Sequence, residues 1–283
     1  MTIVGVHGIG KYRYFAETGS VGGAAELMRI RWDRYLHAGL YGPAAPYSGE
    51  HYVTEIAYYA HLLREDRRSE PTRELRRMEP EEKLVAAAWL KQLDGVRGVA
   101  GESLTGMLRR VAGWAVERLG ERAEEIAETF VPEVAAYFAS GQAAARVKAC
   151  EALADTIRRR QPQVLIAHSL GSVVAYETMW ANPELDIELL ITLGSPLGMH
   201  NVVFERLIPT PLGGRGQRPP NVARWVNIAD KDDIVATPPA LGGCFTGVDL
   251  DLSVNLDWID FHTVEKYLGS GALNEHLKKY LAI

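Results

Sequence analysis

Cysteine is scarce in this chain: only Cys150 and Cys244 occur among 283 residues. Without a Cys-x-x-Cys spacing, neither a disulfide framework nor a thiolate metal site is indicated, and both cysteines read as packing residues. Long apolar runs are missing too. Nothing approaches the ~18 consecutive apolar residues of a membrane span, so no integral membrane association is expected. The opening MTIVGVHGIG has no basic stretch or long apolar segment ahead of its strand-like run, which gives the expectation of a cytoplasmic protein. Positive charge is not in excess. A net charge of -5 offers no electrostatic reason to expect nucleic acid as a partner, and Arg158, Arg159 and Arg160 read as cations on the last turn of a helix. No internal repeat or low-complexity tract is evident. With 47% apolar and 24% charged residues, the composition is that of an ordinary soluble globule rather than a disordered or collagenous chain.

Short apolar, β-branched runs recur at 2–7, 52–60, 164–169, 189–194 and 224–230. They are nearly continuous rather than alternating, as in strands buried on both faces. Helical segments lie between them, such as GAAELMRIRWDRYLHAGL before the second run and SVVAYETMW after the third. Alternation of this kind predicts an α/β fold with a mainly parallel central sheet flanked by helices. Residues 64–145 form a long helical insertion, with Leu104, Leu108, Val111 and Ala115 on one face and Ile126, Phe130, Val134 and Phe138 on another. Pro132 is expected to break or kink it. A cap over a site and a plain helical layer fit this insertion equally. IPTPLGGRGQRPPN, at 208–221, reads as a long loop.

The third run ends in Ala167-His168-Ser169-Leu170-Gly171. A strand that turns sharply into a helix over a serine needs small residues two before and two after it, because larger side chains would strike neighbouring backbone. Ala167 and Gly171 meet that need. A serine hydroxyl is a poor nucleophile and requires a base, itself oriented by a carboxylate. In this setting the chain order is serine, acid, histidine. His262, just before a helix, suits the base better than His276 inside LNEHLKKYL. RWVNIADKDDIVA supplies Asp230, Asp232 and Asp233 for the acid, and residue chemistry alone does not choose among them. Acyl transfer also needs donors for a developing oxyanion. The N–H groups of Leu170 and of Ile9, in the VHGIG turn, are the candidates, with Gly8 and Gly10 letting that turn approach closely. His168 violates the order expected for a base and is assigned to shaping the elbow.

Together, VHGIG, AHSLGSVVAYE, LGSPLGM and WVNIADKDDIVA resemble segments of the α/β-hydrolase superfamily. Within it they are similar to the lipase and esterase branch, including intracellular phospholipase A1 enzymes and bacterial lipase-like hydrolases. The resemblance covers roughly residues 1–60 and 150–270 and leaves out the insertion. It implies a single α/β-hydrolase domain over 1–283 and hydrolysis of a carboxylic ester through an acyl-enzyme. It makes Ser169 the nucleophile, His262 the base, and Ile9 and Leu170 the oxyanion donors. Among the acids, the superfamily's spacing of Asp to an apolar pair ending in Val selects Asp232, ahead of Asp233 and Asp230. Ser195 and Pro196 become a wall of the site, and His7, Gly8, Gly10 and His168 complete the expected substrate-binding set. Neither metal nor cofactor is implied, and the partner is a small-molecule or lipid-like acyl substrate. Acyltransferases, thioesterases and peptidases use the same triad, and a hydrolase fold also serves for binding alone. GVHGIGKY nearly spells a phosphate-binding loop but ends in Tyr12, which cannot place a short hydroxyl on Mg²⁺.

Overall fold

The computed structural model describes residues 1–46, 51–63, 80–92, 122–139, 143–256 and 262–281. Its centre is a six-stranded, wholly parallel sheet. In chain order the strands are β1 (Thr2–Val6), β2 (Val53–Ala57), β3 (Val164–His168), β4 (Leu189–Leu193), β6 (Trp225–Asp230) and β8 (Leu250–Val254), and their spatial order is β2-β1-β3-β4-β6-β8. β5 (Gly216–Gln217) and β7 (Phe245–Thr246) form a separate two-stranded pair. The loop expected over 208–221 therefore does enter a sheet, if only for two residues.

β3 and β4 are buried at every position. That is why their sequences are uninterrupted apolar runs, with helices on both faces. Alternate side chains go to opposite cores. Val4, Val6, Leu165, Ala167 and Leu190 share one core. Ile3, Val164, Ile166, Ile191, Val226 and Ile228 share the other. The first core is covered by α5 (Ala143–Arg160) and α6 (Leu170–Ala181). The second is covered by α2 (Val21–Tyr41) and α7 (Val264–Gly269), which pack on each other. α1 (Tyr12–Thr18) follows the turn after β1, and α8 (Asn274–Leu277) closes the described chain. Ser20 caps α2 by accepting the Gly23 N–H at 3.0 Å. β8 is an edge strand and is half exposed, so its LDLSV lacks the apolar run that marks the inner strands.

Within the insertion, α3 (Pro80–Gln92) and α4 (Arg122–Phe138) are described. Leu104, Leu108, Val111 and Ala115 lie outside the described residues. Phe130, Val134 and Phe138 are buried in the same core as Leu170 and Val174. The helix passes through Pro132 without ending there, so of the break or kink expected at that proline, the break does not occur. Its C-terminal end is fixed by a buried polar knot: the Arg146 guanidinium and the Tyr137 hydroxyl both donate to the Glu177 carboxylate on α6, Tyr137 at 2.7 Å. Removing one partner of such a buried pair costs about 3–5 kcal/mol.

The arginine triplet lies on the last turn of α5, where Arg159 and Arg160 pair with Glu55 of β2. Cys244 is buried in the first core and Cys150 packs against it, its thiol pushed up to about 11 by burial. Among the described residues, no helix is long and apolar enough to cross a membrane, and no three His, Cys, Asp or Glu side chains are grouped to hold a metal ion.

Candidate active site

Register brings the carboxyl ends of four strands together. Val6 lies beside Ala167, His168 beside Leu193, and Leu193 beside Ile228. The chain leaves β1 toward β2 on one side and returns through β3 on the other, so the turns after β1 and β3 flank a topological switch point. That is where open parallel sheets bind ligands.

Ser169 occupies the turn between β3 and α6. Its backbone has φ 53° and ψ -130°, a conformation that costs a non-glycine residue about 1–3 kcal/mol and persists only when its surroundings over-determine it. Those surroundings are specific. The Ser169 N–H donates to the Leu193 carbonyl at 2.9 Å, which extends the sheet ladder by one residue. The Ser172 hydroxyl donates to the Ser169 carbonyl at 2.6 Å and meets the Ser195 hydroxyl at 2.7 Å. A Cβ on Gly171 would stand 2.5 Å from the His7 carbonyl oxygen, and one on Gly8 would stand 2.5 Å from Ser169 Cβ. Both contacts are impossible for any other residue without movement of the turn. Leu170 is the first residue of α6, so its N–H belongs to the first-turn amides that have no partner inside the helix.

His262 reaches Ser169 from the segment just before α7. Its Nε2 lies 2.8 Å from Ser169 Oγ, and its Nδ1 lies 2.8 Å from Asp233 Oδ2. Since a carboxylate accepts, Nδ1 carries the proton and Nε2 presents its lone pair to the serine hydroxyl. Such a Ser-His-Asp chain can withdraw the hydroxyl proton as the oxygen attacks an electrophile. The approach of α7 is set by α2: a Cβ on Gly39 would lie 2.1 Å from the Leu268 carbonyl oxygen.

The acid at the histidine is Asp233, which corrects the expectation of Asp232. β6 ends at Asp230, whose Oδ1 accepts the Asp232 N–H at 2.7 Å and whose Oδ2 accepts the Leu256 N–H. That folds the chain so the Asp233 N–H meets the Asp230 carbonyl at 3.2 Å. Asp232 then points outward, its side chain 39% exposed near Lys231, while the Asp233 side chain is fully buried. Asp233 Oδ1 accepts the N–H groups of Val235 at 2.9 Å and Ala236 at 3.3 Å. Its Oδ2 also accepts the Tyr267 hydroxyl at 2.8 Å. Burial and the Asp233 charge hold the Tyr267 phenol well above its usual range, so it stays a donor.

The expected substrate-binding residues divide. His7 is buried with both ring nitrogens occupied: Nδ1–H donates to the Gly8 carbonyl at 2.7 Å, and Nε2 accepts the Tyr59 N–H at 3.1 Å. Burial lowers its pKa to about 3, so the ring is neutral. It braces the turn after β1 and has no free nitrogen for a substrate. The Ser195 hydroxyl is likewise spent on Ser172 and on the Leu197 N–H at 3.2 Å, and Pro196 is buried in the same turn with its carbonyl accepting the Met199 N–H. Gly8 lies against Ser169, and Gly10 donates its N–H to Glu133 of α4 at 3.0 Å. The Gly10 N–H, which a phosphate-binding loop would turn to its ligand, is thereby taken up by a carboxylate. His168 is buried, with Nε2 3.1 Å from the His262 carbonyl oxygen. His276 is buried on α8, with Nδ1 3.5 Å from Arg224.

Sequence reasoning missed three contributors. Tyr267 is indistinguishable in sequence from a core aromatic. Glu133 and Trp89 lie in the insertion, and Trp89 Nε1 donates to the Ile234 carbonyl, next to Asp233, at 3.0 Å. No family model, curated protein or solved structure matches this chain.

Proposed function

We propose that the chain is a serine hydrolase of α/β-hydrolase type that cleaves a carboxylic ester of a small-molecule or lipid-like acyl substrate. The observation that carries this reading is the chain of two 2.8 Å contacts from Ser169 Oγ through His262 to Asp233, set on a serine whose strained backbone is held from every side. Ser169 Oγ attacks the ester carbonyl while His262 Nε2 takes its proton. The new Oγ–C bond gives a tetrahedral oxyanion, to which the N–H groups of Leu170 and Ile9 donate, each such donor contributing about 3–4 kcal/mol in favourable cases. The imidazolium, its charge balanced by Asp233, returns the proton to the departing alcohol as the C–O bond breaks. A water deprotonated by His262 then releases the acid and restores Ser169.

A fluorophosphonate probe tests the reading. Wild type is expected to label at one site, and Ser169→Ala is expected to lose that labelling while keeping its fold. A folded wild type that does not label is a binding protein on a hydrolase scaffold, and the proposal falls. Aryl esters of increasing chain length, beside a thioester and a peptide amide, then separate an esterase from a thioesterase or peptidase.

A further inference from the structure

His168 ends β3 and immediately precedes Ser169, so its ring is fixed to the most rigid part of the sheet. It is buried, only 3% exposed, and among the described residues its ring bonds to the backbone of the proposed base: Nε2 lies 3.1 Å from the His262 carbonyl oxygen. A carbonyl accepts only, so Nε2 carries the proton. Nδ1 is then a bare lone pair, without a partner among the described residues. It is turned to the backbone of the first turn, where a Cβ on Gly8 would lie 2.9 Å away. The His168 and His262 rings stand 5.0 Å apart. A merely space-filling residue here would need neither the proton on Nε2 nor the orphaned nitrogen.

We propose that His168 is a positioning residue which sets the separation of nucleophile and base by holding the His262 backbone carbonyl. The inference rests on the serine-hydrolase reading above. Asp233 fixes the direction of the His262 ring through Nδ1, whereas His168 fixes the backbone from which that ring hangs. Two anchors are needed to place Nε2 in line with Ser169 Oγ, because rotation about a single Nδ1 contact still lets the ring swing. Since His168 and Ser169 are adjacent residues, the bond ties the base to the nucleophile's own turn rather than to a distant wall. Burial, together with the neighbouring His262, pushes the His168 ring well below the ordinary histidine range, so His168 itself adds no charge beside the imidazolium formed during reaction.

Glutamine places an amide N–H where histidine Nε2 stands, and asparagine places it where Nδ1 stands. His168→Gln and His168→Asn therefore separate the hydrogen bond from the polarity. Fluorophosphonate labelling rate, kcat and KM on an activated aryl ester, and melting temperature are measured for both. His168→Asn is expected to lose on the order of 10²-fold in labelling rate and kcat, the scale of a small misplacement of catalytic groups, with KM little changed. His168→Gln is expected to stay within about threefold to tenfold of wild type. Equal rates for wild type and both variants overturn the inference, as does an equal loss in both that follows their melting temperatures. In either case a labelled wild type leaves the serine-hydrolase reading standing, whereas an unlabelled wild type takes both down.

Discussion

The turn after β3 and the turn after β6 do opposite kinds of work. Around Ser169 the constraint is steric: Gly8 and Gly171 bring backbones to distances no side chain allows, and the serine itself is strained. Around Asp233 the constraint is electrostatic. Backbone N–H groups, a phenol and an imidazole converge on one buried carboxylate. The first turn tolerates almost no change of residue size, and the second almost no change of hydrogen-bonding valence.

Asp233→Asn should break the comparison most severely, because the amide presents the wrong groups to His262 Nδ1. A loss of about 10⁴-fold in kcat is expected from the turnover of an ester substrate, with the fold retained. Gly8→Ala attacks the steric side and should cost on the order of 10²-fold in kcat by displacing Ser169; a loss confined to KM would contradict the close packing. Lowering the pH should weaken the turn after β1 that packs on Ser169, since His7 is buried neutral there with its pKa near 3. The unfolded chain takes up a proton on this residue below about pH 6.5 that the native state refuses, so stability falls as pH falls, by about 1.4 kcal/mol per pH unit. Denaturant unfolding between pH 6 and 4 should show a slope shallower by one proton in His7→Gln. Tyr267→Phe removes one donor from the Asp233 carboxylate, which then holds the His262 imidazolium more tightly. A loss of about tenfold or less in kcat/KM at neutral pH is expected from turnover of an ester substrate. Smallest of all, Asp232→Asn should leave activity within about twofold, as expected for an exposed side chain.

The same contrast explains what the sequence disclosed. Steric demands are written in residue type, so Ala167, Gly171 and Gly8 mark the Ser169 turn in the sequence itself. Hydrogen-bond demands are not: Asp230, Asp232 and Asp233 are chemically identical, and only the folding of the chain over Asp230 decides which one turns inward. The inner strands declared themselves as apolar runs because both faces are covered. β8 did not, because half of it faces solvent. His262 was legible from chain order, whereas Tyr267 reads in the sequence as one more buried aromatic.

The two described helices of the insertion reach the site from different sides. Glu133 of α4 holds the Gly10 N–H on the turn after β1, and Trp89 of α3 holds the Ile234 carbonyl on the turn after β6. Excising the two helices would therefore release both turns at once, one on each side of the Ser169–His262–Asp233 chain.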